Sequence, residues 1–110
     1  MQFFHIPNNR GLKVVMPEQI IRVEGISNYS KIFFTNMPPL VVAKVLHWFQ
    51  DGLPAQMFTR VHRSHLVNRM YVKEMNGSKN KFLLLRNGET VAVSRRKQRC
   101  LTDAMLHFKN

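Results

Sequence analysis

Phe58-Thr59-Arg60-Val61-His62-Arg63-Ser64-His65-Leu66-Val67-Asn68 is the stretch on which the reading of this chain turns. It sets Arg60, His62, Arg63 and His65 at fixed points among apolar Phe58, Val61, Leu66 and Val67. A second basic cluster, Val93-Ser94-Arg95-Arg96-Lys97-Gln98-Arg99, follows after one β-like stretch. From Met57 to Arg99 eleven Lys or Arg stand against two Glu, so +9 of the chain's formal +11 falls there. Cations placed in an otherwise apolar pattern suit a protein that holds phosphates while a few side chains reach base edges. Nucleic acid is the leading partner.

Outward from these clusters the chain reads as short strands. Gln2–His5, Leu12–Val15, Gln19–Glu24 and Tyr29–Thr35 are separated by Pro7-Asn8-Asn9-Arg10-Gly11, by Pro17 and by Asn36-Met37-Pro38-Pro39. These are turn-forming residues between apolar runs. Val42, Val45, Leu46, Phe49 and Leu53 then recur at helical spacing until Gly52-Leu53-Pro54 stops the pattern. Strands resume at Leu66–Asn68, Val72–Met75, Phe82–Leu85 and Thr90–Val93. Arg86-Asn87-Gly88-Glu89 predicts a hairpin over Phe82–Val93, with positive φ at both Asn87 and Gly88. Cys100, Leu101, Ala104, Met105 and Phe108 fall on one face of a last helix, with Ser94 as its N-cap. The expected class is mainly β, α+β by content.

With 110 residues, 45% of them hydrophobic and eight of them Phe, the chain suits one folded domain over residues 1–110. Cys100 is the only cysteine, so no disulfide forms within the chain. The N-terminus lacks the features of a signal peptide, and no window approaches the roughly 18 to 20 apolar residues that span a bilayer. A cytoplasmic location is the expectation, with no membrane partner.

The pattern Phe58-x-Arg60-Val61-His62-Arg63-Ser64-x-x-Val67-Asn68, followed by Val93-Ser94-Arg95-Arg96, closely resembles the LytTR family of bacterial DNA-binding domains. The segment from Ile20 to Tyr29 is similar to that family's first strand pair and connecting loop. Leu46-x-x-Phe49-x-x-x-Leu53 is similar to its short helix. The resemblance is clear from about residue 17 to 106; the first fifteen or so residues lack a counterpart. It implies small antiparallel sheets stacked in an elongated domain, with one short internal helix and a C-terminal helix. It further implies a bacterial transcriptional regulator that binds double-stranded DNA sequence-specifically, with loops entering successive major grooves and two chains on paired repeats. Relatives often carry a receiver domain or membrane segments ahead of this domain. This chain starts at a Met with neither, so any signal is expected from a separate partner.

Residue by residue, the resemblance puts Arg63 and Arg95 on positions that meet bases, and an arginine can hold O6 and N7 of guanine in a bidentate fork. Arg60, Arg96 and Lys97 become phosphate or auxiliary contacts, as do Asn28, Ser30 and Lys31 of the first loop. Cations in the first turn of a helix oppose its dipole by a few tenths of a kcal/mol each. At Arg95, Arg96 and Lys97 they are better explained by a docked anion, although a solvated basic face accounts for the same charges. Tyr29 is expected to bury its ring, His62 to be a hydrogen-bonded structural residue, and Asn68 to be a turn or backbone-bonding residue.

No cofactor or metal is expected. His62 and His65 lack two further zinc ligands at workable spacing. The acids Glu18, Glu24, Asp51, Glu74, Glu89 and Asp103 are scattered singly, Ser64 has no orienting acid beside its histidines, and no glycine-rich phosphate loop is present. An enzyme is therefore the weakest reading. The main alternative to specific DNA binding is a basic adaptor for RNA or an anionic surface. Phe58 and Phe82 sit in apolar contexts that do not suit base stacking, and the cations gather at the start of the last helix instead of along it. If 5 to 8 of the clustered cations meet phosphates, the slope of log K for duplex DNA against log salt should be roughly −5 to −7. A titration giving a slope near zero would rule out the DNA reading.

Overall fold

The computed structural model describes residues 2–98 and 101. β1 (Phe4–Asn8) and β2 (Gly11–Val15) form an antiparallel hairpin. β3 (Ile20–Ile26), β4 (Tyr29–Phe34), β5 (Leu40–Val42), β6 (Phe58–His62) and β7 (His65–Asn68) form a five-stranded sheet in the order β5-β4-β3-β7-β6. β8 (Val72–Asn76), β9 (Phe82–Leu85) and β10 (Thr90–Ala92) form a third sheet in the order β10-β9-β8. One short helix, α1 (Leu46–Gly52), lies between β5 and β6, and residues 95–98 and 101 are helical. The mainly β architecture with an internal and a C-terminal helix is the expected one. Cys100, Ala104, Met105 and Phe108, placed by their spacing on the last helix, lie outside the described residues; Leu101, inside them, is buried.

Two strands escape the sequence reading. Val42 was expected to open the helix, yet it pairs with Ser30 as the last residue of β5, and α1 starts only at Leu46. Val42 suits both patterns because a buried apolar residue three or four positions from the next fits either period. β6 reads as a basic cluster because its alternation is interrupted: the pairing with β7 shifts register between Arg60 and His62. An extra residue in one strand breaks the two-residue period that marks a strand.

The five-stranded sheet is covered on both faces. Phe4, Ile6 and Val15 of the first hairpin, together with Leu46, Phe49 and Leu53, pack against Ile20, Val23, Ile32, Phe34, Phe58 and Leu66. Gly25 permits this close seating, since a Cβ there would stand 3.3 Å from the Leu46 Cβ. On the other face Ile21, Val61 and Val67 meet Val72, Leu83, Leu85, Val91, Val93 and Leu101. A register shift between Ile20 and Arg22 lets the neighbours Ile21 and Arg22 both address this second layer. Asn68 is fully buried; its amide donates to Ile20 O at 3.0 Å and its Oδ1 accepts from Met70 N at 3.0 Å. It joins β3, β7 and the turn before β8 through backbone groups, as expected.

The hairpin between β9 and β10 is present, but its turn differs from expectation. Gly88 takes φ 90°, whereas Asn87 keeps negative φ. Gly88 N bonds Leu85 O at 3.0 Å and Leu85 N bonds Glu89 O at 2.8 Å, which closes a three-residue loop. Such a loop needs left-handed backbone only at its last residue, where glycine stands. This geometry delivers Glu89 to the buried Arg22, whose Nε and Nη2 each donate to it at 3.1 Å. Arg22 also bonds Glu24 at 3.3 Å and stacks on the Phe33 ring at 3.8 Å.

The hydrogen bonds from Arg22 hold the Glu89 carboxyl below its ordinary pKa, against the opposing effect of burial. A depressed folded pKa gives stability that is present above the unfolded value of about 4.3 and lost as pH falls through the folded one. Glu89→Gln should lower stability by about 1–2 kcal/mol at pH 7, a modest figure because the carboxylate is 37% exposed. The difference from wild type should shrink in acid. Denaturant melts at pH 7 and pH 3 check this; a pH-independent gap would contradict the ion pair.

Candidate nucleic-acid interface

Two backbone hydrogen bonds assemble the basic segments. Ser94 N donates to Val61 O at 2.9 Å, which places the start of the last helix beside the end of β6. Gly25 N donates to Ser64 O at 2.9 Å, which places the β6–β7 turn beside the end of β3. The loops at Ser27-Asn28 and Arg63-Ser64 therefore emerge from the same end of the five-stranded sheet. Gly25, Ser27, Leu46, His47, Arg60 and Arg63 are among the residues lining a shallow groove between them. Arg60 also borders a second cleft, with Gln50, Thr59, Arg69 and Lys97.

The expected site residues fall into three groups. Arg63 in the β6–β7 turn, Asn28 in the first loop, and Arg95, Arg96 and Lys97 at the helix start are exposed. No acid pairs with these three arginines and one lysine among the described residues; Arg22 takes Glu24 and Glu89, and His47 lies 3.2 Å from Asp51. Lys31 is half-buried one face away, opposite Glu24 in the β3–β4 pairing and 5.3 Å from the Phe33 ring centroid. It lines neither groove.

Ser30 does not belong with them. It is fully buried and its Oγ donates to Lys44 O at 2.6 Å, so its hydroxyl ties β4 to the segment after β5 and does not face a ligand. Strand alternation explains the correction: Ser30, Ile32 and Phe34 all point inward, while Tyr29, Lys31 and Phe33 point outward. By the same alternation Tyr29 leaves the core where it was expected and is 52% exposed. Arg60 is half-buried and committed to protein groups. Its Nε donates to His62 O at 2.9 Å, its Nη1 to Gln50 Oε1 at 2.7 Å and its Nη2 to Arg63 O. Burial lowers its pKa, yet a guanidinium remains charged.

The His62 and His65 rings lie tilted against each other, 5.2 Å between centroids. His62 Nδ1 accepts from Ser64 N at 3.1 Å, a structural hydrogen bond in line with the expectation for this residue. Burial pushes the His65 imidazole down; Glu24 opposes the shift, and His62 and Arg22 add to it. The pair is a framework for the turn. Among the described residues no three His, Cys, Asp or Glu are grouped as a metal cluster, and Cys100 and His107 lie outside them.

Three features of this end were not read from the sequence. Ile26 and Tyr29, 47% and 52% exposed, flank the first loop. Ser27 carries φ 56°, so a non-glycine residue holds left-handed backbone at the loop tip. His47 reaches the groove from α1. Only its position at the start of a helix pattern hinted at it, and nothing in the sequence sets that helix beside the β6–β7 turn.

The profile of the LytTr DNA-binding domain family matches residues 10–105. The chain belongs to that family. Among solved structures it is similar to the LytTr DNA-binding domain of a methyl-accepting/DNA response regulator from Bacillus cereus. The two share 20% identity over 96% of this chain and 97% of that one, with a TM-score of 0.79. No curated protein matches. Membership in the LytTr family carries DNA binding and transcription regulation, and the family is one of DNA-binding domains and not of enzymes. The family match starts at residue 10 and so takes in β2, which the sequence pattern left without a counterpart, and the structural likeness covers 96% of the chain, whose first hairpin puts Phe4 and Ile6 in the core. No helix of the described residues is long and apolar enough to cross a membrane.

Ser30→Ala should cost about 1 kcal/mol of stability, because it leaves a buried carbonyl short of its donor. It should leave DNA affinity unchanged at temperatures where the variant is folded. Melting curves paired with duplex titrations test this, and weakened binding by a fully folded variant would return Ser30 to the interface.

Proposed function

We propose that this LytTr domain reads specific duplex DNA through the end of the sheet where Ser27-Asn28, Arg63-Ser64 and the helix start at Arg95 converge. Arg63 and Arg95 read bases; Asn28, Lys31, Arg96 and Lys97 hold phosphates or support the fit. The observation that carries this reading is the convergence itself. Two basic segments about thirty residues apart are fastened at Ser94 N–Val61 O, with their cations exposed and no acid against them among the described residues. Such an arrangement is unfavourable alone and is relieved by a polyanion.

In this reading the domain, 43 Å along its longest axis against roughly 34 Å for one DNA turn, enters successive major grooves as the family resemblance implies. Two chains then occupy paired repeats, and a separate protein supplies any signal. Direct readout by loops depends on side chains that are held before binding, and the β6–β7 turn is fixed by the bond from Gly25 N of β3 to Ser64 O.

Selection from random duplexes should return a short repeated motif. On that site Arg63→Ala or Arg95→Ala should each cost about 1–3 kcal/mol and relax preference at particular base pairs. Arg96→Ala and Lys97→Ala should weaken selected and scrambled duplexes alike and reduce the salt slope by about one. Melting temperatures should barely move, since all four side chains are exposed. Equal loss on both duplexes for Arg63→Ala and Arg95→Ala would leave a charge-only binder of nucleic acid.

A further inference from the structure

The β6–β7 turn is a hairpin loop of an unfavoured kind. His62 pairs with His65, leaving two loop residues, Arg63 and Ser64. Two-residue hairpin loops favour turns with positive φ at one or both loop residues, because those match the strand twist. Neither Arg63 nor Ser64 has positive φ. A turn that its backbone does not favour must be held from outside, and here the holding group is a side chain of the same hairpin.

We propose that Arg60 is a positioning residue for the DNA-facing turn: its guanidinium fork grips the carbonyls of His62 and Arg63 and so fixes the direction in which the Arg63 side chain leaves the surface. The proposal rests on the reading of Arg63 as a base contact. Three of the five guanidinium N–H groups are engaged, two on these carbonyls and one on Gln50 of α1, which anchors the fork to the helix beneath. The register shift between Arg60 and His62 brings the guanidinium and the two carbonyls onto the same side of the hairpin. Ser64 N on His62 Nδ1 and Gly25 N on Ser64 O complete the frame. Arg60 thus differs from Arg63, Arg95 and Arg96, whose side chains are exposed. A lysine keeps the charge but offers a single nitrogen in place of the planar fork, so it cannot reproduce bonds from three separate nitrogens to His62 O, Arg63 O and Gln50 Oε1.

The test uses the full chain, the duplex recovered by selection and a scrambled duplex. Arg60→Lys should melt within a few degrees of wild type and bind the selected duplex about tenfold more weakly, with an unchanged salt slope and little effect on the scrambled one. Exchange of the Ser64 amide in the free protein should quicken by about tenfold or more. Arg63→Ala should cost less in the Arg60→Lys background than alone, because an unheld Arg63 has less to lose. Wild-type Ser64 exchange in Arg60→Lys overturns the proposal. So does a salt slope that falls by about one in Arg60→Met and is restored in Arg60→Lys, the behaviour of a phosphate contact. If Arg60→Lys does not fold, Gln50→Ala releases only the anchor; quicker Ser64 exchange supports the brace and unchanged exchange overturns it. Should Arg63→Ala alone leave selected binding intact while Ser64 exchange rises in Arg60→Lys, the DNA reading of this turn has failed and the brace has not.

Discussion

The five-stranded sheet must be dry on both faces, and the rest of the molecule is arranged to meet that requirement. In β7 the adjacent residues Leu66 and Val67 point to opposite faces, and each is 1% exposed. One face needs the first hairpin and α1, the other the three-stranded sheet and the last helix. Neither cover is large by itself. Short two- and three-stranded sheets are marginal in water until an apolar face is buried against another layer. The central sheet supplies that layer twice, so its strand ends are held rigidly while the covers leave one end open.

Electrostatics follows from the same arrangement. Arg22 is nearly buried on β3, a position that demands anionic partners, and it takes both Glu24 and Glu89. Two of the few acids are thereby taken up by Arg22. With Asp51 beside His47, the exposed cations at the loop end face no counter-charge among the described residues. A structural ion pair therefore helps produce a functional surface: the field at the open end is positive because the neutralising groups are fixed elsewhere.

The interface also shows how loops become rigid without glycine. Ser27 accepts left-handed backbone at one loop tip, and Arg63-Ser64 form a turn whose backbone does not suit its hairpin. Ser27 carries strain of a kind that persists only where the surroundings over-determine the geometry. At Arg63-Ser64 the surroundings are explicit: Arg60, His62 and Gly25 each supply a hydrogen bond to the turn. Side chains held in this way lose less ordering entropy on binding, an advantage that the proposed DNA contact would use.

The sequence by itself determined the class of fold, the hairpin around Gly88, the backbone-bonding role of Asn68 and the concentration of cations in two segments, because periodicity, turn chemistry and charge are local properties. It resembled the LytTr family through the pattern around His62 and Ser94, which combines folding and surface residues without separating them. Tertiary structure decided which residue did which. β5 and β6 were missed since an edge strand of three residues and a bulged, charged strand lack a clean two-residue period. Ser30 and Tyr29 exchanged their expected places because the phase of alternation depends on which face the neighbouring sheet covers. Arg60 and Arg63 are the same residue type three positions apart. One became a brace and the other an exposed side chain through a bulge and a bond to Gln50, and that distinction exists only once β6, β7 and α1 have packed together.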